Sequence, residues 1–144
     1  MLVSYIAGMD DGTQNKNSPE GKRVLLVDDD NFLLDMYSVK FTGAGFTVRA
    51  CLSVQAALTT LRGGFQPDAI VFDLTMPEYD GFSFLETLRS EGLAPNAIKI
   101  ALTNQGSDEE KIKTEALGAH RYIVKASMIP SEVVTAVGAE LAKK

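Results

Sequence analysis

Five short apolar runs, each separated from the next by a stretch with helical spacing, constrain this chain more than any other feature. Residues 24–27, 47–50, 69–72, 98–102 and 122–124 are mostly β-branched or aliphatic, as strands buried on both faces of a parallel sheet require. Arg49 interrupts the second run, which therefore reads as an edge. Helical spacing predicts helices over 32–42, 54–62, 82–90, 108–117 and 131–142. Ser53 is placed to cap the second helix, and Ser107 with Glu110 forms a capping box that starts the fourth. Gly43, Gly63 and Gly118 each follow a helical stretch, where a left-handed residue is easiest for glycine, and Pro130 suits a first helical turn. Strand and helix in strict alternation predict an α/β fold with a parallel sheet covered by helices.

The 144 residues, 45% of them apolar, suffice for one domain with a real core. No repeat beyond the βα alternation and no second domain is expected. A net charge of −5 argues against nucleic acid as a direct partner, since phosphate-backbone binding needs a basic patch. The single cysteine, Cys51, excludes an internal disulfide, and no thiol or imidazole cluster suits zinc; a reducing cytoplasm is the expected setting. No apolar run is long enough to insert in a membrane. Residues 1–7 lack the basic start and apolar centre of a secretory signal. Residues 8–21 are too polar to offset chain entropy, so 1–21 are expected to be a disordered arm and 22–144 the folded domain.

In an open parallel sheet the strand C-termini face one crevice, which gathers residues distant in sequence. Asp28 and Asp29 follow the first predicted strand, Asp73 the third, Thr103 the fourth and Lys125 the fifth. Three carboxylates crowded together repel one another unless a cation relieves them. An all-oxygen set suits Mg²⁺, which keeps several waters and commonly shares its remaining positions with a phosphoryl group. Phosphoryl transfer depends on positioning and on charge neutralisation by metal, ammonium and hydrogen-bond donors, and this set contains each donor type.

Val-Asp-Asp (27–29), Val-Phe-Asp-Leu-Thr-Met-Pro (71–77), Asp-Gly (80–81), Ala-Leu-Thr (101–103) and Tyr-Ile-Val-Lys (122–125) together resemble the receiver domains of bacterial two-component response regulators. The resemblance spans residue 22 to the C-terminus. It implies a flavodoxin-like (βα)5 sandwich with strand order 2-1-3-4-5 and a stand-alone receiver. It also implies Asp73 as the phosphoacceptor, with Asp29 and Asp73 as direct Mg²⁺ ligands and Mn²⁺ as a substitute ion. Asp28 would act through metal-bound water and Thr75 through its backbone carbonyl. Lys125 and Thr103 would hold the phosphoryl oxygens. Thr103 and Tyr122 would switch the surface of the fourth helix, fifth strand and fifth helix. The implied partners are a histidine kinase or histidine phosphotransfer protein and a downstream protein. The implied states are a monomer or a phosphorylation-dependent dimer, and no separate substrate is turned over.

Several positions depart from the family pattern or have plainer readings. Ala126 stands where the family usually has proline, which leaves the Lys125–Ala126 peptide either trans or held in a costly cis form. Asn104 is bulkier than the usual residue after the threonine and is expected to slow small phosphodonors; Thr75 and Gln105 stand at positions that, as the resemblance implies, tune how water reaches the phosphoaspartate. Asp30 reads as a helix cap, Asp80 with Gly81 as a loop-shaping turn, His120 as a solvated imidazole and Cys51 as a packing residue. Three other functions compete. A phosphorylation-independent docking module would have no use for the complete acidic set. An Asp-nucleophile phosphatase would need a second aspartate where Thr75 stands. A flavin protein would need glycine or hydroxyl residues where Asp28 to Asp30 would repel the cofactor phosphate.

Overall fold

A computed structural model describes residues 20–144 of the chain; the remainder of the expected arm lies outside the described residues. Five strands, β1 (Arg23–Val27), β2 (Thr47–Cys51), β3 (Ala69–Asp73), β4 (Ile98–Thr103) and β5 (Arg121–Val124), alternate with five helices. These are α1 (Asn31–Gly43), α2 (Val54–Arg62), α3 (Gly81–Glu91), α4 (Asp108–Ala116) and α5 (Pro130–Ala142), and a short 3-10 turn, Lys125–Ser127, follows β5. The strands form one parallel sheet in the order β2-β1-β3-β4-β5, as the resemblance implies.

The sheet divides the apolar interior in two. Leu25, Val27, Ile70 and Phe72 pack toward α2 and α3 with Leu58, Phe84 and Leu88. Val24, Leu26, Val71 and Ile100 pack toward α1 and α5 with Phe41, Val133 and Val137. Alternate residues of one strand enter different cores because strand side chains point to opposite faces. All five residues of β3 are buried, and edge-on aromatic pairs, Phe72 with Phe84 and Phe41 with Phe46, fill one core each. β2 is an edge, as Arg49 signals, but so is β5, where only Ile123 is fully buried.

Local signals set most element ends. Asp30, Ser53, Asp80 and Ser107 each accept a backbone N–H three residues on and cap α1, α2, α3 and α4. Asp80 therefore caps a helix, which is a more specific role than the turn expected of it. Pro130 opens α5 as expected. The left-handed glycines depart from expectation at two of three places. Gly118 has φ 115°, but the positive φ values after α1 and α2 fall on Gly45 and Gly64, not on Gly43 and Gly63. Gly43 is still helical, and Gly63 ends α2 with right-handed geometry. The turn is made one or two residues later, where Gly45 and Gly64 N–H reach the Thr42 and Leu61 carbonyls.

Candidate functional site

The strand order reverses between β1 and β3, since the chain runs from β1 outward to β2 and returns to β3 on the other side. A crevice opens at the C-terminal ends of strands at such a reversal. Asp28 lies just beyond β1, in register with β2 through its N–H bond to the Cys51 carbonyl, and Asp73 is the last residue of β3. Carboxylate oxygens of Asp28, Asp29 and Asp73 all lie within 4.8 Å of one another, with Asp28 and Asp73 buried and Asp29 exposed. From β5, Lys125 reaches across with its Nζ 2.9 Å from Asp28 Oδ2 and 3.4 Å from Asp73 Oδ2.

Two of the three carboxylates, Asp28 and Asp73, are also held by backbone. Asp30 N–H donates to Asp28 Oδ1 at 2.9 Å, and Thr75 N–H donates to Asp73 Oδ1 at 3.2 Å. Burial pushes the Asp73 carboxyl above its ordinary range; Lys125 opposes the shift and Asp28 adds to it. Burial alone would lower the Lys125 ammonium, but its bond to Asp28 and the charges of Asp73 and Asp28 outweigh that and raise it. The ammonium therefore stays charged while the central carboxylate is destabilised, a condition that a divalent cation would relieve. Asp29, at the solvent edge, and Asp28 and Asp73 beneath it form an oxygen set open on one side, as a hard cation that keeps water ligands requires.

Glycine is required beneath Asp73. A Cβ on Gly81 would come within 2.8 Å of the Asp73 carbonyl oxygen and the Leu74 Cα, and Gly81 N–H donates to the Leu74 carbonyl at 3.0 Å. The Asp-Gly pair thus caps α3 with its first residue and lets α3 approach the site with its second. Thr103 is buried at the end of β4, where its hydroxyl donates to the Gln105 carbonyl at 3.3 Å. Asn104 is exposed beside it, and the Lys125–Ala126 bond is trans, since no cis peptide occurs among the described residues.

Tyr122 stands apart from the carboxylates, half-buried beneath the start of α4. Its hydroxyl accepts from Ser107 N–H at 3.2 Å and donates to Glu110 Oε1 at 2.5 Å. The capping box is therefore half as expected: Ser107 Oγ takes Glu110 N–H, but the return bond from Glu110 to Ser107 runs through the tyrosine. A Cβ on Gly106 would lie 2.6 Å from Val124 Cγ2 and 3.2 Å from the Tyr122 oxygen, so a side chain there would have to displace Val124 or the ring. Burial and the bond to Glu110 raise the phenol's pKa.

The described structure places one residue near the site that sequence reasoning passed over. Tyr37, buried on α1, lies within the field of Lys125, Asp28 and Asp73, and burial raises its pKa. Only its helical spacing marks it in sequence. His120 is exposed, as expected, but not solvated at both nitrogens: its Nδ1 accepts the Lys99 N–H at 3.0 Å. Cys51 is buried, as a packing residue should be.

A family model for the response regulator receiver domain matches residues 24–137, a span that contains every strand-end residue of the site. The chain belongs to that family. The chemotaxis protein CheY of Thermotoga maritima is 32% identical over 117 residues, 81% of this chain and 95% of that one. The DNA-binding dual master transcriptional regulator RpaA of Synechocystis is 32% identical over 108 residues, 72% of this chain. The receiver spans half or less of several curated relatives, 42% of RpaA and 50% of the regulatory protein VanRc of Enterococcus gallinarum. Among solved structures, chemotaxis protein CheY4 of Vibrio cholerae superposes with a TM-score of 0.76 at 27% identity, covering 83% of this chain and 98% of that one. Receivers are the signalling modules of two-component systems. No helix among the described residues is long and apolar enough to cross a membrane.

Proposed function

We propose that this receiver takes a phosphoryl group from a phosphohistidine of a histidine kinase or phosphotransfer protein onto Asp73. The observation that carries the reading is the buried Asp73 carboxylate within 3.4 Å of the Lys125 ammonium and within 4.8 Å of Asp28 and Asp29. An Asp73 oxygen attacks phosphorus, the phosphorus–nitrogen bond to the donor imidazole breaks, and an aspartyl phosphate forms as the imidazole leaves with the electron pair. Lys125 holds the phosphoryl oxygens, and the Thr103 hydroxyl turns from Gln105 toward them. Asp29 and Asp73 would hold Mg²⁺ directly, or Mn²⁺ as a substitute, with Asp28 acting through water and Thr75 through its carbonyl. The ion, when bound, neutralises charge that builds on the transferring group. The protein is self-directed in this chemistry and turns over no separate substrate. Its output is contact with a downstream protein through α4, β5 and α5, switched by Thr103 and Tyr122, as a monomer or a phosphorylation-dependent dimer in the cytoplasm.

Intact-protein mass after incubation with acetyl phosphate tests the reading. One phosphoryl is expected on the wild type with Mg²⁺, none with EDTA, and none on Asp73→Asn. An adduct on Asp73→Asn, or none on the wild type with acetyl phosphate or phosphoramidate, overturns it. Asn104→Ala should label faster than the wild type, because the exposed side chain at residue 104 narrows the approach.

A further inference from the structure

At the end of the molecule opposite the acidic site, a cavity of about 370 Å³ opens between α3, the loop that leads into β4, and the end of α4. Its floor is Leu85, Leu88, Leu93 and Leu117, and Arg89, Lys99 and His120 stand around it; among the described residues no acidic one lines it, although the chain as a whole carries −5. Size and an apolar floor with a few converging polar groups are the features of small-molecule sites.

The three polar side chains have structural bonds, but those bonds do not use them up. Arg89 donates once, to the Ala116 carbonyl at the end of α4, from a fork of five N–H donors. Lys99 Nζ donates to the Ala94 and Ala97 carbonyls at 3.0 and 3.1 Å, which leaves its third proton. With Nδ1 accepting from Lys99 N–H, His120 presents Nε2–H as its donor edge. Neither Arg89 nor Lys99 is in an ion pair among the described residues. Glu140, the nearby acid that His120 feels, is held by Arg121 at 3.5 Å and Lys143 at 3.2 Å. The half-buried Lys99 ammonium thus has no counter-ion among the described residues, and burial and the neighbouring Lys144 lower its pKa.

We infer that this cavity is a binding site for a small organic monocarboxylate, with the carboxylate on Arg89, Lys99 and His120 and an aromatic or branched apolar body on the leucine floor. Charge complementarity selects the anion, and the floor selects the body: inorganic anions lack the second and neutral aromatics the first. The inference is independent of phosphorylation at Asp73.

The test is an amide and imidazole NMR titration of the full chain with 2-naphthoate, with 2-naphthamide and inorganic phosphate as controls. Saturable shifts at Gly92, Gly118 and His120 are expected for naphthoate, with Kd at least tenfold lower than for either control. Lys99→Met should weaken naphthoate binding at least tenfold. Because that substitution also removes bonds to two carbonyls, the more exposed Arg89→Gln is the companion and should weaken it at least threefold with the spectrum otherwise unchanged. Equal binding of naphthamide, equal binding of phosphate, shifts that do not saturate, or unaltered affinity in Arg89→Gln would each overturn the inference.

Discussion

Removing the Tyr122 hydroxyl should loosen the start of α4 by an amount that its two bonds set. One is a charge-assisted donation to Glu110 at 2.5 Å, and the other takes the N–H of Ser107 at 3.2 Å. A hydrogen bond to a charged group contributes about 1.5–3 kcal/mol when buried, and a lost helix cap costs about 1 kcal/mol. Ser107 is exposed and Glu110 half-buried, so water replaces part of both, and Tyr122→Phe should cost about 1–2 kcal/mol. Urea denaturation of Tyr122→Phe, Glu110→Ala and the double variant measures this as a double-mutant cycle. The coupling energy should be about 1 kcal/mol, and amide exchange at Ser107 should quicken. A loss below about 0.3 kcal/mol for Tyr122→Phe, or strict additivity of the pair, would refute the reasoning. An inward turn of the ring must break both bonds, so the same substitution should lower the cost of that turn.

Three further outcomes follow from the site. Gly81→Ala should destabilise by about 1–3 kcal/mol and slow acetyl phosphate labelling, because its Cβ meets backbone of Asp73 and Leu74 at 2.8 Å; labelling at the wild-type rate would contradict this. Burial holds the native Asp73 carboxyl above its unfolded value, so stability is lost as pH rises from the unfolded value of about 3.9 through the raised native one. Without metal at pH 7, Asp73→Asn should therefore be more stable than wild type in urea, with the difference shrinking toward pH 4; a less stable variant would sink the argument. Mg²⁺ at a hundred times its Kd should stabilise the wild type by about 2.7 kcal/mol, read as a rise in Tm, and Asp29→Asn should respond far less at the same concentration.

The strands were legible because each is a continuous apolar run, and their ends moved by only a residue where the ladder overrode side-chain type. Cys51, Asp73 and Thr103 pair as strand residues because Val27, Leu102 and Val124 stand opposite them. The acidic site was legible because strand ends converge in this class of sheet. What was not legible depends on distance through space. Glu110 and Ser107 signal a reciprocal cap to each other, and nothing in sequence announces that a tyrosine from β5 enters between them. Gly106 and Gly81 look like loop glycines; only the fold shows that a side chain would meet Tyr122 and Val124 at the first and the Asp73 carbonyl at the second. Gly43 and Gly63 sit where a helix stop is chemically easy, yet the stop falls where a following N–H finds a carbonyl, one or two residues later.

The division of the interior by the sheet also governs how the molecule tolerates change. Leu25 and Leu26 are neighbours in sequence yet belong to separate compartments, joined only through strand backbone. Volume lost on one side, as in Leu58→Ala, and on the other, as in Val133→Ala, should subtract from stability as independent amounts. A repacking of the α1–α5 compartment is then felt little by α2 and α3. β3 contributes side chains to both compartments, so the strand that ends in Asp73 is anchored twice, and either compartment can drift in sequence while the other keeps that carboxylate in register.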